Sequence, residues 1–439
     1  MSPEGNSPQT ATARRRSGRM RMGMPIIGGV APVTTRLGIW GAVVLPRGAG
    51  YLLSYFFRNV MGPVSSDLMR DTGVDAVRLG LLTGLYFAAF TISQIPLGLA
   101  LDRFGPRRVQ SVLLLLAAFG AMLFSLAQGL VLLGLGRLLI GLGTAGCLTA
   151  GLKATMQWSD RRSSLSSING VFIMFGGIGA MAATSPLAIL ADRLGWRWTF
   201  GGLALASAAL ALGTWLLVPE PSGSTGRQGG GGALRGHPAN ISLWLLAPMS
   251  ALTFGVVSAF QGLWASRWLV DVDHLSQQAV VHRLLVMAAA MAVGAPLLGV
   301  VAGALRRLVR MATLTTVVAG VLVAVEAVIC LPLPVPGVVA WPAMALFAAI
   351  PVLSYGVVAD LYPATLIGRA NAVLNMAHTG VAFLAQFGVG AVISLWPSVG
   401  GAYPAQAYRC ALAVAMMVQL SAVAVFALHL GRRRQGGRM

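Results

Sequence analysis

GLALDRFGPRR, residues 98–108, closes one apolar run and opens the next. On its N-terminal side Leu79–Ala100 carries no charged side chain, and on its C-terminal side Val109–Gly136 carries none either. A bilayer core of about 30 Å is crossed by about 20 apolar residues in a helix. Both flanks are long enough, so the charged stretch between them reads as a short surface hairpin. Its residues suit that position. Gly105 permits the tight turn, Gly98 lets a neighbouring helix approach, and Arg103, Arg107 and Arg108 anchor the polar surface. Asp102 can accept from helix N-terminal amides or from arginines across an interface.

The same pattern recurs along the chain. Of its 439 residues, 56% are hydrophobic and only 10% charged, against about 25% charged in an ordinary soluble domain. A chain this poor in charge is a polytopic helical membrane protein, and its principal partner is the lipid bilayer. The net charge of +20 sits in loops and tails rather than in a basic groove with interleaved aromatics. No nucleic acid is expected as a partner, and the run ARRRSGRMRM at 13–22 reads as a tail against anionic lipid. Cys147, Cys330 and Cys410 lie inside apolar segments without CxxC spacing or a nearby histidine, so neither a disulfide framework nor a metal site is expected. The first apolar run begins near Leu37, is too long for a signal-peptide core, and is expected to remain as a helix.

Twelve spans are expected, at about 37–59, 77–100, 108–127, 129–152, 165–190, 197–218, 242–265, 282–304, 311–331, 337–358, 371–395 and 407–429. Arginine-rich loops alternate with loops of mixed or little charge, which makes the Arg103–Arg108 side cytoplasmic. An even count puts both termini on that side. The chain divides into a basic N-terminal tail (1–36), a six-helix half (37–218), a Gly/Ser-rich linker (219–240), a second six-helix half (241–430) and a basic tail (431–439). Sliding the halves by about 200 residues brings Gly98–Asp102 opposite Gly299–Gly303, a parallel repeat of a kind that places a solute site between the halves.

GLALDRFGPRR resembles the signature loop between helices two and three of the major facilitator superfamily. GRLLIGLGTAG, with Arg137, Gly141, Gly143 and Gly146, looks like its fourth-helix motif. GWRWTF at 195–200 and Pro363, Gly368 and Arg369 of DLYPATLIGRAN are similar to its helix-six entry and its loop between helices ten and eleven. The resemblance covers about residues 37–430 and implies an all-α integral membrane transporter that works by alternating access. Gly98, Asp102, Arg103, Gly105, Arg107 and Arg108 would then serve as a conformational gate. Two departures stand out. Gly303 replaces the acid in the second-half copy of the loop, and GGIGAMAATSP at 176–186 matches the antiporter pattern only loosely.

LPRGAGYLLSYFFR, residues 45–58, sets two arginines in the first span. Arg47, Tyr51, Ser54, Tyr55 and Arg58 share one helical face. With entry near Leu37, Arg47 falls near the midplane and Arg58 near the outer end, where it either snorkels or meets solute. Arg47 either pairs with groups freed by Pro46, Gly48 and Gly50, or faces the solute. The resemblance implies that helices one, four, seven and ten line the cavity, bringing Arg137 into it. The substrate-binding candidates are Arg47, Tyr51, Tyr55, Arg58, Arg137, Gln261, Trp264, Tyr355, Asn375 and His378. Polar side chains at such positions serve either as inter-helix glue or as ligands. Glu326, in helix nine, is expected to be a structural or protonated acid rather than a coupling residue.

Cavity cations in excess over acids point to a small organic anion or other carboxylate-bearing metabolite, with a short peptide as a variant, moved by secondary active or facilitative transport. Efflux of amphipathic drugs or cations is the alternative, and a transporter-like scaffold or sensor a second. No nucleophile elbow, phosphate loop or cofactor motif suggests an enzyme. A monomer in a bacterial inner membrane is expected.

Overall fold

Long apolar helices joined by short loops leave only helix-on-helix packing, and the computed structural model has that form. It describes residues 41, 44–151, 162–218, 241–331 and 337–436. The tail 1–36 and the linker 219–240 lie outside the described residues.

The first crossing is α1 (Leu45–Asn59) continued by α2 (Met61–Thr72), and Gly73, at φ 67°, caps it by donating its N–H to the Met69 carbonyl. Pro46 follows a π-helical residue, Val44, and α1 runs unbroken from Leu45 through Gly48 and Gly50. α3 (Ala76–Phe104) starts where the Asp75 carboxylate accepts the Arg78 N–H. Gly105, at φ 79°, turns the chain into α4 (Pro106–Leu126), followed by α5 (Leu130–Thr144), α6 (Arg162–Ala182) and α7 (Ser185–Leu217). α7 reverses inside itself at Gly195, φ 81°, so it holds the end of the fifth crossing and the whole of the sixth.

In the second half, α8 (Ile241–Ala259), a π-helical turn (Phe260–Trp264) and α9 (Ala265–Asp271) form one crossing. α10 (Gln277–Leu305), α11 (Met311–Cys330), α12 (Gly337–Leu346) with α13 (Ile350–Leu361), α14 (Ala364–Ile393) and α15 (Ala405–Gly436) complete it. Among the described residues, ten helical runs are long and apolar enough to cross a membrane. One of them, Met174–Leu217, folds back at Gly195, and Leu45–Thr72 supplies the first crossing, giving twelve.

Among the described residues, several hydrogen bonds cross between the halves towards the end that carries Asp271, termed here the distal end; the end carrying Pro106 and Arg432 is the tail end. Ser266 Oγ donates to the Gly62 carbonyl (2.9 Å), Arg267 Nη1 to Ser66 Oγ (3.2 Å) and the Ala76 N–H to Tyr403 Oη (3.3 Å). Deeper in, Thr91 and Thr379 join α3 to α14 at 2.7 Å. Towards the tail end, a Cβ on Gly98, Gly299 or Gly303 would meet nothing within 4 Å.

Close helix contact inside the first half depends on Gly179 of α6, where a Cβ would lie 2.1 Å from the Leu52 carbonyl oxygen. Backbone cannot yield as a side chain can. Gly179→Val is expected to abolish the monodisperse peak in detergent size-exclusion chromatography, whereas Gly202→Ala, into open space, leaves it intact.

Candidate functional site

The continuation of the first crossing to Thr72 changes the depth of both arginines. Arg58 lies thirteen residues from Leu45 and fourteen from Thr72, about 20 Å of helix on either side. Arg58 therefore lies well inside the span, and Arg47 lies eleven residues nearer the tail end, which reverses the order expected from sequence. The physical reason is that Ser65, Ser66, Asp67 and Arg70 belong to helix rather than to loop, packed or paired along α2.

Around Arg58 three helices contribute rings. Its guanidinium lies over Tyr55 at 4.5 Å, Phe90 at 5.5 Å and Phe87 at 5.6 Å from the ring centroids. Tyr51 meets Tyr55 edge-on at 5.0 Å, and Gly176 of α6 leaves the space for that pair, since a Cβ there would come within 2.9 Å of the Tyr51 ring. Tyr355, on α13 of the other half, lies within electrostatic reach of Tyr55 and Arg58. No carboxylate pairs with Arg58 among the described residues, and its Nε is buried without a hydrogen-bond partner. The planar fork of such a guanidinium matches a carboxylate in geometry and charge.

Tyr355 continues the site into the second half. Its ring stands 6.0 Å from His378, whose Nε2 lies 2.7 Å from Ser250 Oγ, and Ser250 Oγ lies 2.7 Å from Ser354 Oγ. Phe254 stacks on the other side of the imidazole at 5.3 Å. His378 is buried, so its place is behind Tyr355. Asn375, one turn before it, is partly exposed on α14.

Arg47 and Arg137 are not brought to Arg58. Arg47, 1% exposed, donates from Nη1 to Gln110 Oε1 (2.9 Å) and to the carbonyls of Pro106 and Ala150 (3.4 Å each), tying α1 to α4 and to the end of the fourth crossing. Arg137, fully buried, donates from Nε to the Leu82 carbonyl (3.2 Å) and from Nη1 to that of Phe57 (3.1 Å), and lies over the Tyr86 ring at 5.2 Å. Both arginines clamp helices of one half. Arg47→Ala is expected to lower the thermal midpoint while changing solute affinity less than about twofold, since surface and core sites away from a ligand act independently; paired melting and binding curves check this.

Trp264 belongs to the distal seam. Its Nε1 donates to the Gln386 carbonyl (3.2 Å), and its ring lies where a Cβ on Gly80 or Gly390 would stand. The π turn that carries it frees the carbonyls of Ser258 and Ala259, and Gln386 Nε2 donates to both at 3.3 Å. Gln261, on the same turn, lines a small cleft with Asn59 and Thr184. Glu326 is fully buried in α11 facing α15, where Gln419 is the neighbouring polar side chain; no arginine pairs with it among the described residues.

Of the gate residues, Gly105 makes the turn, and Arg107 donates to the Val218 carbonyl (3.4 Å) and lies over Trp215 at 5.7 Å. Asp102 and Arg103 are exposed, and Arg108 is exposed beside them. In the second-half copy, which lacks the acid, Arg306 instead pairs with Asp360 of α13.

Sequence reading missed Phe87 and Phe90, whose spacing of three beside Tyr86 was the available signal. It also missed Ser250 and Ser354, lone hydroxyls in apolar runs. The pair Arg267 and Asp271 was missed because the seventh span was ended at residue 265.

Residues 48–386 match the sequence profile of the Major Facilitator Superfamily. A quinolone resistance transporter of Acinetobacter baumannii is 32% identical over 177 residues, which are 39% of this chain and 40% of that protein. A probable L-galactonate transporter of Escherichia coli is 24% identical over 229 residues, 50% of this chain and 49% of that one. The matched stretches thus span half or less of these relatives' lengths. A bacterial homologue of the human lysosomal transporter Spinster, in an inward-facing and unoccupied conformation, superposes with a TM-score of 0.71 at 17% identity, covering 91% of this chain and 97% of that one. Twelve helices in this arrangement, the signature loop at 98–108 and a profile match across both halves have one reading: the chain is an integral membrane protein, and it belongs to the Major Facilitator Superfamily.

Proposed function

We propose that the chain carries a small organic anion, a carboxylate-bearing metabolite, across a bacterial inner membrane by rocking its halves about Arg58. The observation that carries this reading is the mid-span guanidinium without a counter-charge, framed by Tyr51, Tyr55 and Tyr355. A carboxylate there would gain charge-assisted bonds from the guanidinium fork and from tyrosine hydroxyls in a site with little competing water. Rings on the first half and Tyr355 on the second let one solute touch both, as alternating access requires. A relative named as an L-galactonate transporter supports an acid of this size.

Arginine bias makes the tail end cytoplasmic. The hydrogen bonds at the distal end then hold the halves together on the outer side. Stabilisation of the purified protein by carboxylates, lost in Arg58→Ala, is the expected result of a thermal-shift screen, because a ligand of the folded state raises its stability by mass action. Efflux of amphipathic compounds is the second reading. It is favoured by the aromatic walls Phe87 and Phe90 and by the relative named for quinolone resistance. Stabilisation by lipophilic cations alone would select it.

A further inference from the structure

Directly distal to the Arg58 cage lies a second polar feature, the cleft between Asn59, Thr184 and Gln261, walled by Pro63, Ala180 and Leu284. Four helices from both halves meet there, and the cleft has room for a water-sized group. Its polar atoms are complementary. Asn59, 8% exposed, donates Nδ2 to the Tyr55 carbonyl at 2.8 Å, which leaves Oδ1 as its acceptor. Thr184 donates its hydroxyl to the Met181 carbonyl at 2.6 Å, which leaves oxygen lone pairs. Gln261 Nε2 is a buried donor with no partner among the described residues. An unmatched buried amide donor is costly, and here its residue lines one cleft with two residues that offer acceptors.

The cleft adjoins the cage along the chain. Asn59 follows Arg58 in α1 and donates to the Tyr55 backbone carbonyl. Gly262, next to Gln261, faces the same turn, where a Cβ would be in ordinary contact, 3.5 Å, with the Arg58 carbonyl oxygen. The π turn Phe260–Trp264 turns Gln261 to this position, and such bulges recur where a helix presents a side chain to a site.

We infer that Asn59, Thr184 and Gln261 form a hydroxyl subsite, so that the carboxylate held by Arg58 belongs to a hydroxylated acid. A hydroxyl both donates and accepts, so one such group satisfies Gln261 Nε2 and Asn59 Oδ1 together. A hydroxyl-free acid of equal length leaves both unmatched, and a site built to bond a hydroxyl rejects such an analogue. This inference rests on the Arg58 reading.

The test compares gluconate with hexanoate, two six-carbon carboxylates, by competition binding to wild type, Gln261→Leu, Asn59→Leu and Arg58→Ala in nanodiscs. Wild type should favour gluconate by about tenfold or more, the worth of one well-made hydrogen bond with its partners. Either leucine variant should bring the ratio close to one while hexanoate affinity holds; having two variants guards against one that fails to fold. A preference that persists in both, or equal affinities in wild type with Arg58→Ala weakening both acids, overturns the hydroxyl subsite and leaves the Arg58 reading standing. Failure of both acids to bind wild type, or full binding by Arg58→Ala, overturns both.

Discussion

Arg58→Ala is expected to weaken carboxylate binding about a hundredfold, the effect of removing one to two charge-assisted hydrogen bonds worth about 3 kcal/mol together. Arg58→Lys should fall between, because an ammonium keeps the charge but loses the planar fork and its stacking over Tyr55 at 4.5 Å. The stability of the empty protein should change little. With no carboxylate partner among the described residues, the guanidinium is held by ring contacts and by Tyr86, which offset its burial, so Arg58→Ala should leave the ligand-free thermal midpoint nearly unchanged. A structural arginine behaves oppositely, and Arg47 and Arg137, which bond carbonyls of neighbouring helices, are expected to do so. Isothermal titration and melting curves on the same preparations separate the two roles. Undiminished affinity in Arg58→Ala would refute the assignment.

Asp271→Ala is expected to destabilise the distal closure by about 3–5 kcal/mol, because it strands a buried guanidinium. Asp271 takes Arg267 Nη2 on both carboxylate oxygens at 2.9 Å, with the two side chains only 1% and 7% exposed, and also accepts the Tyr403 N–H and the Tyr408 hydroxyl. Arg267 in turn reaches Ser66 of the first half and the Gly401 carbonyl. This node pins α2, α9 and the loop before α15 together. Its loss should lower the thermal midpoint by several degrees and shift the population towards a distal-open form. Labelling of an introduced Gln261→Cys by an impermeant maleimide, in a Cys410→Ser background, reads that shift as a faster rate. Replacing both Arg267 and Asp271 by apolar residues should recover part of the midpoint, since the charge is then no longer unpaired. Unchanged labelling and melting in Asp271→Ala would show that the node does not hold the closure.

The Glu326 reading from sequence divides in the same way. Its separation from solute was legible from its place in helix nine, but the absence of an arginine partner among the described residues was not, because that depends on which face of α15 turns towards α11. His378 is similar. Its bond to Ser250, which also meets Ser354, joins α14 and α13 to α8, more than 100 residues earlier in sequence.

Sequence alone determined the solvent, the number of crossings and the turn chemistry at Gly105. These follow from local properties: run length, charge placement and the backbone freedom of single residues. It also determined that helix one carries arginines and tyrosines on one face. Which arginine bonds neighbouring helices and which stacks on rings mid-span was decided only by tertiary structure. Hydropathy ends the first span at Asn59, because it cannot see that Ser65 is buried against the backbone of its own helix and that Arg267 from the other half takes Ser66. Those contacts extend the helix to Thr72, move the midplane from Arg47 to Arg58, and let Gln110, 63 residues away in the chain, take Arg47 out of the site.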